Sequence, residues 1–507
     1  MSYTLPAPVK GLNCRDGVAD MGETYAVTMD NYIPRENKVV LRKGYQSYVV
    51  LNGDVKTLAA YNAGRNSAFF AIAGGKVFNI SNKSDVYEYD NISLTNSDCR
   101  TAQYKNYMYF VNGVDAPLVY YVDENNDEHF GAWGFSAEGL TEENIVNVSV
   151  SKQRLWFVEK NSLKVWYPED AGNISGTLSC FDLAQVSRFG GRLVAVANWT
   201  QDGGQGIDDL TVFITSEGEA LVYSGSDIND AEDWKLRGSY KISRPIGYNC
   251  TIAYQGDVVI ITEDGYLPLS TALPADKANA SQLAFSDTIR GLVLDRTQRY
   301  SGRSGWQGII YSRGNLGIFN IPVANQFEQH VICINNGAWC RFTGIRSFCW
   351  GEYETRLYFG SSNGVFLFDE GYSDNGTPIS GVVEQAYSSL GTEYLKKIQL
   401  LNPRTKSLSA YSLVIYTNMD MEQRQVDYEE NIGQSGVTRW NTCKWSSFIK
   451  YSGTKWESSG SSVLRSQWIA NSSVGYKAGI VFKTKTKGNS IEWYETGIRY
   501  ETGVGIL

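Results

Sequence analysis

From about residue 55 the chain repeats one pattern: a run of apolar and aromatic residues, a turn of Gly, Asn, Ser or Asp, then a second such run. The instances are FFAIAGGKVFNI (69–80), YFVNGVDAPLVYY (109–121), LWFVEKNSLKVWY (155–167), VFITSEGEALVYSG (212–225), VVIITEDGYLPLS (258–270), GIIYSRGNLGIFNI (308–321) and RLYFGSSNGVFLFDEG (356–371). Turn residues flanked by β-branched and aromatic runs predict a β-hairpin in each. The turn anchors Gly75, Gly113, Asn161, Gly218, Gly265, Gly314 and Gly364 recur at intervals of 38 to 57 residues. A period of about fifty leaves room for four short strands, the content of a propeller blade, whereas a β-helix needs a much shorter repeat. A lone blade cannot bury both of its faces, so blades must pack radially around a shared core. Seven hairpins predict six or seven blades.

Two stretches break the rhythm. Residues 123–146 are acidic and irregular and predict an extended loop. Residues 271–305 are the best helical candidate, with Leu283, Ile289, Leu292 and Val293 forming an apolar stripe at helical spacing. This predicts an insertion projecting from the propeller. After Gly376-Thr377-Pro378 the texture turns to Ser, Thr, Lys and period-two alternation, as in SLVIYTNM (412–419), GIVFKTKT (479–486) and IEWYETGIRY (491–500). The predicted architecture is therefore all-β: a propeller over 51–378 and a second, sandwich-like β domain over 379–507. Trp440, Trp445, Trp456, Trp468 and Trp493 fall in that second region, as cross-strand packing or as an exposed sugar-binding face. The alternating Lys483, Lys485 and Lys487 predict the solvated face of a strand, guarding an edge.

Composition agrees with sheet: 33 Tyr, 20 Phe, 13 Trp and 50 Gly against 11 Pro. The net charge of -8 argues against a polyphosphate-gripping protein, which needs clustered Lys and Arg to release counterions. No apolar run reaches membrane-spanning length, and the N-terminal residues lack the apolar core of a signal peptide. The eight cysteines (14, 99, 180, 250, 333, 340, 349 and 443) show no CxxC spacing and read as reduced, mostly buried thiols. Cys333, Cys340 and Cys349 fit no zinc template.

Catalytic chemistry finds little to work with. Only His129 and His330 are present, one in an acidic loop and one between strands, and both read as solvated or structural. No nucleophile elbow, P-loop, dinucleotide fingerprint or HExxH occurs. The cluster Asp202-Gly203-Gly204-Gln205-Gly206 lacks a following Lys-Ser/Thr and reads as a loop. Asp227, Asp230, Glu232 and Asp233 sit ahead of Trp234 in an acidic turn whose spacing is not that of an EF-hand. None of the hairpins carries the S-x-D-x-G-x-x-W turn of propeller sialidases. The expectation is a non-enzyme with no cofactor and no metal.

Several segments, taken in order, resemble a particular family. Asp30-Asn31-Tyr32-Ile33-Pro34, followed by Leu41-Arg42-Lys43-Gly44-Tyr45, resembles the opening of tail nozzle proteins of short-tailed double-stranded DNA bacteriophages. The stretch ANWTQDGGQGIDDLTVFITSEGEALVYSGSDINDAEDWKLRGSYKISRPIG (197–247) and the ITEDGYLPLS run are similar to the same group, also described as tail tube protein B, tail hub or DNA-stabilisation proteins. The likeness covers most of residues 8–270 and continues more weakly beyond. It implies a homo-hexameric ring below a portal–adaptor complex, with a propeller and a platform built from both chain ends, here residues 1–50 joined to 379–507. It further implies a virion tail component assembled in the host cytoplasm. Such a ring retains packaged DNA, conducts it without specific binding, and docks tail fibres or tailspikes on its outer face. A carbohydrate- or receptor-binding virion protein is the alternative, and a propeller glycan hydrolase the third.

Overall fold

The structure, a computed structural model, describes residues 1–202, 207–230, 232–272, 284–409, 411–421, 430–432 and 463–503. It is nearly all β, 57% strand against 5% helix, so no helical core competes with the sheets, and its blades form a five-blade propeller-like arrangement. Six of the seven predicted hairpins pair as antiparallel neighbours, for example Phe70 opposite Asn79 and Phe213 opposite Leu221. The innermost of their strands are buried on both faces, as Glu219–Ser224 is at every position, instead of alternating. The turns need glycine for space as well as conformation. Gly218 has φ +74°, and a Cβ there would meet the Ile242 carbonyl oxygen at 2.4 Å.

The blade-sized sheets follow in chain order. A six-stranded sheet joins Tyr45–Ala63, Asn66–Ala73, Lys76–Asn82 and Asp85–Glu88 to Cys349–Tyr353 and Arg356–Phe368. Four strands from Arg100–Tyr104 to Glu128–Ala132 make the next, and five strands over Phe135–Asp182 the third. Leu193–Asp202 to Lys235–Lys241 and Thr251–Tyr254 to Gly265–Pro268 complete them. Separate apolar clusters lie between successive sheets. Phe70 and Ile72 pack with Phe110 and Tyr120, Tyr109 and Val111 with Phe157 and Trp166, and Trp156 and Val158 with Phe213 and Tyr223. Face-to-face packing between neighbours is what radial stacking requires.

Two larger sheets hold the chain ends. Gln307–Tyr311, Leu316–Val323, Gln326–Cys333 and Ala338–Phe342 form a four-stranded meander that runs on through Gly11–Leu12, Tyr25–Asp30, Ile379–Gln385, Ala478–Thr486, Tyr411–Met419 and Glu430–Ile432 as one ten-stranded sheet. In the seven-stranded sheet, Ser2–Pro6 pairs with Ile491–Thr502 in the register Ser2 to Arg499, and Tyr32–Pro34 and Val39–Leu41 join the same strand's other end. One apolar cluster runs from Leu5 and Met29 through Ile318 and Phe342 to Phe482 and Trp493, so the core does not divide where the sequence texture changes near Pro378.

Several local expectations are corrected. The seventh hairpin is a single strand, Arg356–Phe368; its SSNG signal sits mid-strand, where the register shifts between Ser362 and Gly364 against the bent strand Tyr45–Ala63. A Cβ on Gly364 would lie 2.3 Å from the Val49 carbonyl oxygen, so this glycine serves a close approach instead of a turn. Within 123–146 the strand Glu128–Ala132 closes a blade edge. The helix Arg290–Tyr300 packs inward instead of projecting: Ile289 and Val293 are fully buried, and a Cβ on Gly291 would strike the Cys14 carbonyl oxygen. Leu283 lies outside the described residues. The lysine-bearing strand Ala478–Thr486 is an interior strand, paired on both sides, so its lysines guard no edge.

Candidate functional site: an axial cavity and the seam of the chain ends

The first strand of each meander meets the others around a common axis. Lys56, Arg100, Ser149, Val196, Thr251, Gln307 and Trp350, one from each of seven strands, line one cavity of about 250 Å³. Contacts run from sheet to sheet around them, Leu193–Asp202 meeting the next sheet at Asp257–Thr262 and Cys349–Tyr353 returning to Tyr45–Ala63. The wall is mostly polar. Arg100 Nη1 donates to Asp98 Oδ1 at 2.6 Å and to the Cys99 carbonyl, and Ser304 donates to Asp98 Oδ2 at 2.8 Å. Burial alone would raise the Asp98 carboxyl, but Arg100, Ser304 and Lys56 together hold it below its ordinary value. Gln307 spans the rim, donating to the Trp350 carbonyl and accepting its N–H. Asn147 Nδ2 donates to the Val194 and Tyr248 carbonyls.

The second site is the seam, built from the residues that carry the family resemblance. Asn31 takes a left-handed conformation, φ 61°, which its short polar side chain tolerates. Its Oδ1 accepts from Arg42 Nε (2.8 Å) and the Thr343 N–H (3.0 Å), and its Nδ2 donates to the Ser380 carbonyl (2.7 Å) and Thr343 Oγ1 (3.1 Å). Arg42 is 1% exposed. Besides Asn31, it donates to both Asp374 oxygens at 2.8 and 2.6 Å and to the Lys43 and Thr343 carbonyls. Gly44 fits because any Cβ would meet Ser373 backbone at 1.9 Å, and Tyr45 packs edge-on against Phe359 and Phe366. Tyr32 Oη bonds Thr484 Oγ1 at 2.8 Å, reaching the C-terminal strands.

Beside it, Asp30 holds Arg341 through two bonds of 2.7 and 2.8 Å. Glu328 accepts from Arg296 Nε at 2.6 Å and faces Arg341 and His330 at 3.6 and 3.3 Å. Burial works against its charge, yet hydrogen bonds from His330 and Arg296 bring the carboxyl down to about 2. Burial pushes the His330 imidazole down, and its Nδ1 sits 2.9 Å from Tyr266 Oη. His330 is thus structural, while His129 is exposed, stacked on Tyr121 and 3.1 Å from Asp123.

The remaining candidates are used locally. Asp233 accepts from the Ser226 and Asp227 N–H groups, Asp227 from Asn229 and Asp230 from Glu232, so this acidic segment is a set of side-chain-closed turns. Cys340 packs in the principal core and Cys349 in another, with its thiol on the Val55 carbonyl. Among the described residues no group of three or more His, Cys, Asp or Glu is placed to hold a metal ion, and no helix is long and apolar enough to cross a membrane. Trp493 is buried and stacked on Phe482 at 4.5 Å. Trp468 is 40% exposed, with Arg499 at 4.6 Å over its ring. Trp440, Trp445, Trp456, Cys443 and the glycines 203, 204 and 206 lie outside the described residues.

Sequence reasoning missed Asp374, the Glu328–His330 network and the Asp98–Arg100 pair. A signal existed for the second: an acid and a histidine two positions apart, and so on one face of a strand, within QFEQHVIC. Compared with known family models and with curated proteins, the chain matches none.

Proposed function

We propose that this chain is a structural subunit of the tail nozzle of a short-tailed double-stranded DNA bacteriophage, one of six in a ring that retains the packaged genome and then conducts it into the host. The observation that carries the reading is the seam. The residues that resemble the nozzle family at the N-terminal end, Asp30–Pro34 and Leu41–Tyr45, are the ones that tie the first fifty residues to the meander at 307–342 and to the C-terminal strands. A stave under the thrust of passing DNA needs such a joint, with one core continuous across it and no hinge.

In this reading residues 1–50 and 379–507 form the platform, and the propeller has seven blades. The seven cavity-lining strands favour that count: the meander at 307–342 is a sixth blade that shares its edge with the platform, and Cys349–Tyr353, Arg356–Phe368 and the start of Tyr45–Ala63 make a seventh. The net charge of -8 suits a lumen that must not grip phosphates. The carbohydrate-binding alternative draws on exposed Trp468, but the guanidinium of Arg499 already covers that ring.

Mixing the purified protein with a portal–adaptor assembly and measuring size tests the reading. A complex carrying six added copies is expected; a protein that joins no portal–adaptor assembly is not a nozzle. In a gel-shift assay at low salt it should bind duplex DNA no better than a neutral control protein.

A further inference from the structure

Charge is divided unevenly along this chain. Residues 51–378 hold 25 Lys and Arg against 38 Asp and Glu, while the two ends that meet in the large sheets, 1–50 and 379–507, hold 21 against 16. The excess acid is itself concentrated. In three successive sheets the turn between the third and fourth strands of the meander, at 123–127, 169–175 and 225–234, carries acids and no Lys or Arg, nine carboxylates in all. The meanders stack in the same sense, so these turns emerge together as one acidic arc. Lys105 and Lys152 reach it from neighbouring turns, donating to the Gly172 and Gly225 carbonyls, and leave it net negative.

The opposite charge stands on the ten-stranded sheet. Along Ala478–Thr486, Phe482, Thr484 and Thr486 are buried, while the alternate positions Lys483 and Lys485 face outward. Their cross-strand neighbours are Val382 and Val414 beside Lys483, and Ser380 and Ser412 beside Lys485, so the lysines rise from a floor of short side chains. Lys483 lies over the Tyr416 ring, and neither lysine has a carboxylate partner among the described residues. The strand is paired on both sides, so these charges have no edge to protect. Nor can the acidic arc of the same chain answer them. In the circuit of sheets the arc is centred across the axial cavity from the meander at 307–342, whose sheet runs on into the lysine-bearing strand.

We propose that the Lys483–Lys485 face receives the acidic arc of a second copy of this chain, so that copies associate head to tail. Complementary potential selects the surface: arc against arc, or lysines against lysines, places like charges together, so a symmetric dimer through either one is disfavoured. Two different surfaces joined in this way make a heterologous contact, which closes into a ring or runs on as a filament. A single exposed ion pair contributes little; the number of carboxylates facing the lysines gives the contact its strength and its sensitivity to salt. The contact is argued from charge and position alone and does not rest on the nozzle reading.

Sedimentation velocity of the full chain across a concentration series tests the proposal. Self-association is expected at an ionic strength of about 0.02 M, and its loss at about 0.5 M. Lys485→Gln should weaken it by about two- to fivefold. Lys483→Glu combined with Lys485→Glu should weaken it by about tenfold or more. So should Glu124→Lys, Asp170→Lys and Glu232→Lys together, one exposed acid from each turn and none that holds its turn closed. Mixing the two charge-reversed proteins should restore association, since each offers the surface the other has lost, and restoration also shows that both are folded. Should either multiple variant fail to fold, Lys485→Gln and Glu232→Gln carry the test singly. A parent that stays monomeric at low salt overturns the proposal, as does association that persists at high salt. Variants that associate like the parent overturn it, and so does a mixture of folded variants that stays monomeric. Displacement of the second copy by added duplex DNA overturns it too, because the lysines then serve a nucleic acid.

Discussion

Arg42 and Arg100 are two arginines set into the same β protein, and their surroundings could hardly differ more. Arg42 spends its donors on Asn31, the Lys43 carbonyl and, from far along the chain, the Thr343 carbonyl and both Asp374 oxygens. Arg100 pairs with a residue two positions away and keeps one buried N–H unmatched. The first arrangement is what a joint looks like: every polar group answered, so that rupture leaves a buried charge alone. The second is a local pair, in which one donor stays unanswered and rupture frees a charge that is already partly exposed. Reach along the chain, more than charge, separates a joint from a local pair.

The sharpest way to break that contrast is Arg42→Met. It leaves Asp374 buried without its partner and should cost about 3–5 kcal/mol, read as a lower urea midpoint. A loss below about 1 kcal/mol would mean the joint is not tight. Asn31→Ala comes next, at about 2–3 kcal/mol, because it strands donors and acceptors on both sides and puts a Cβ residue without compensating bonds at positive φ.

Acid acts on the same seam. Burial holds the His330 imidazole below its ordinary value of 6.5, so as pH falls below that point the unfolded chain takes up a proton the folded chain refuses. Glu328, at about 2 when folded, stays charged while its unfolded counterpart protonates from 4.5 downward. Both contributions are present above about 6.5 and are lost on acidification, His330 first and Glu328 between 4.5 and 2. Unfolding midpoints measured against pH should fall in that order, and Glu328→Gln should flatten the lower limb. A profile level from pH 7 to 5 would show that His330 is not held neutral.

At the axis the effects should be small. Arg100→Gln is expected to cost only about 1 kcal/mol, since its ion pair is partly exposed. Ser149→Ala should change thermal stability by no more than about 0.5 kcal/mol, because it deletes a hydroxyl that bonds nothing in the protein. A large loss from either would make the axis as structural as the seam and erase the comparison.

How much of this the sequence discloses follows from distance along the chain. Hairpins such as 212–225 are legible because strand, turn and return strand are adjacent, and the turn must be glycine. The same local logic misleads at Gly364, where a turn-like SSNG sits inside one strand because its partner, Tyr45–Ala63, lies three hundred residues earlier. The helix at 290–300 is visible from Ile289 and Val293, but its inward packing depends on Cys14 and Glu328, which no spacing rule connects to it. Arg42 is quotable as a motif residue, yet its partner Asp374 is invisible until the chain has folded. The axial cavity is the extreme case, since no two of its seven strands lie next to one another in sequence.

The pairing of Ser2–Pro6 with Ile491–Thr502 has a consequence for how the molecule is made. The Met1 amine and the Tyr500 carbonyl it meets are 499 positions apart. At a ribosomal pace of about 5–20 residues per second, the opening strand waits on the order of half a minute to a minute and a half for its mate. During that interval the intervening meanders can close one after another on the emerging chain, while Leu5 and its neighbours stay uncovered. Closing this pair is therefore a latch that follows the meanders lying between its two strands.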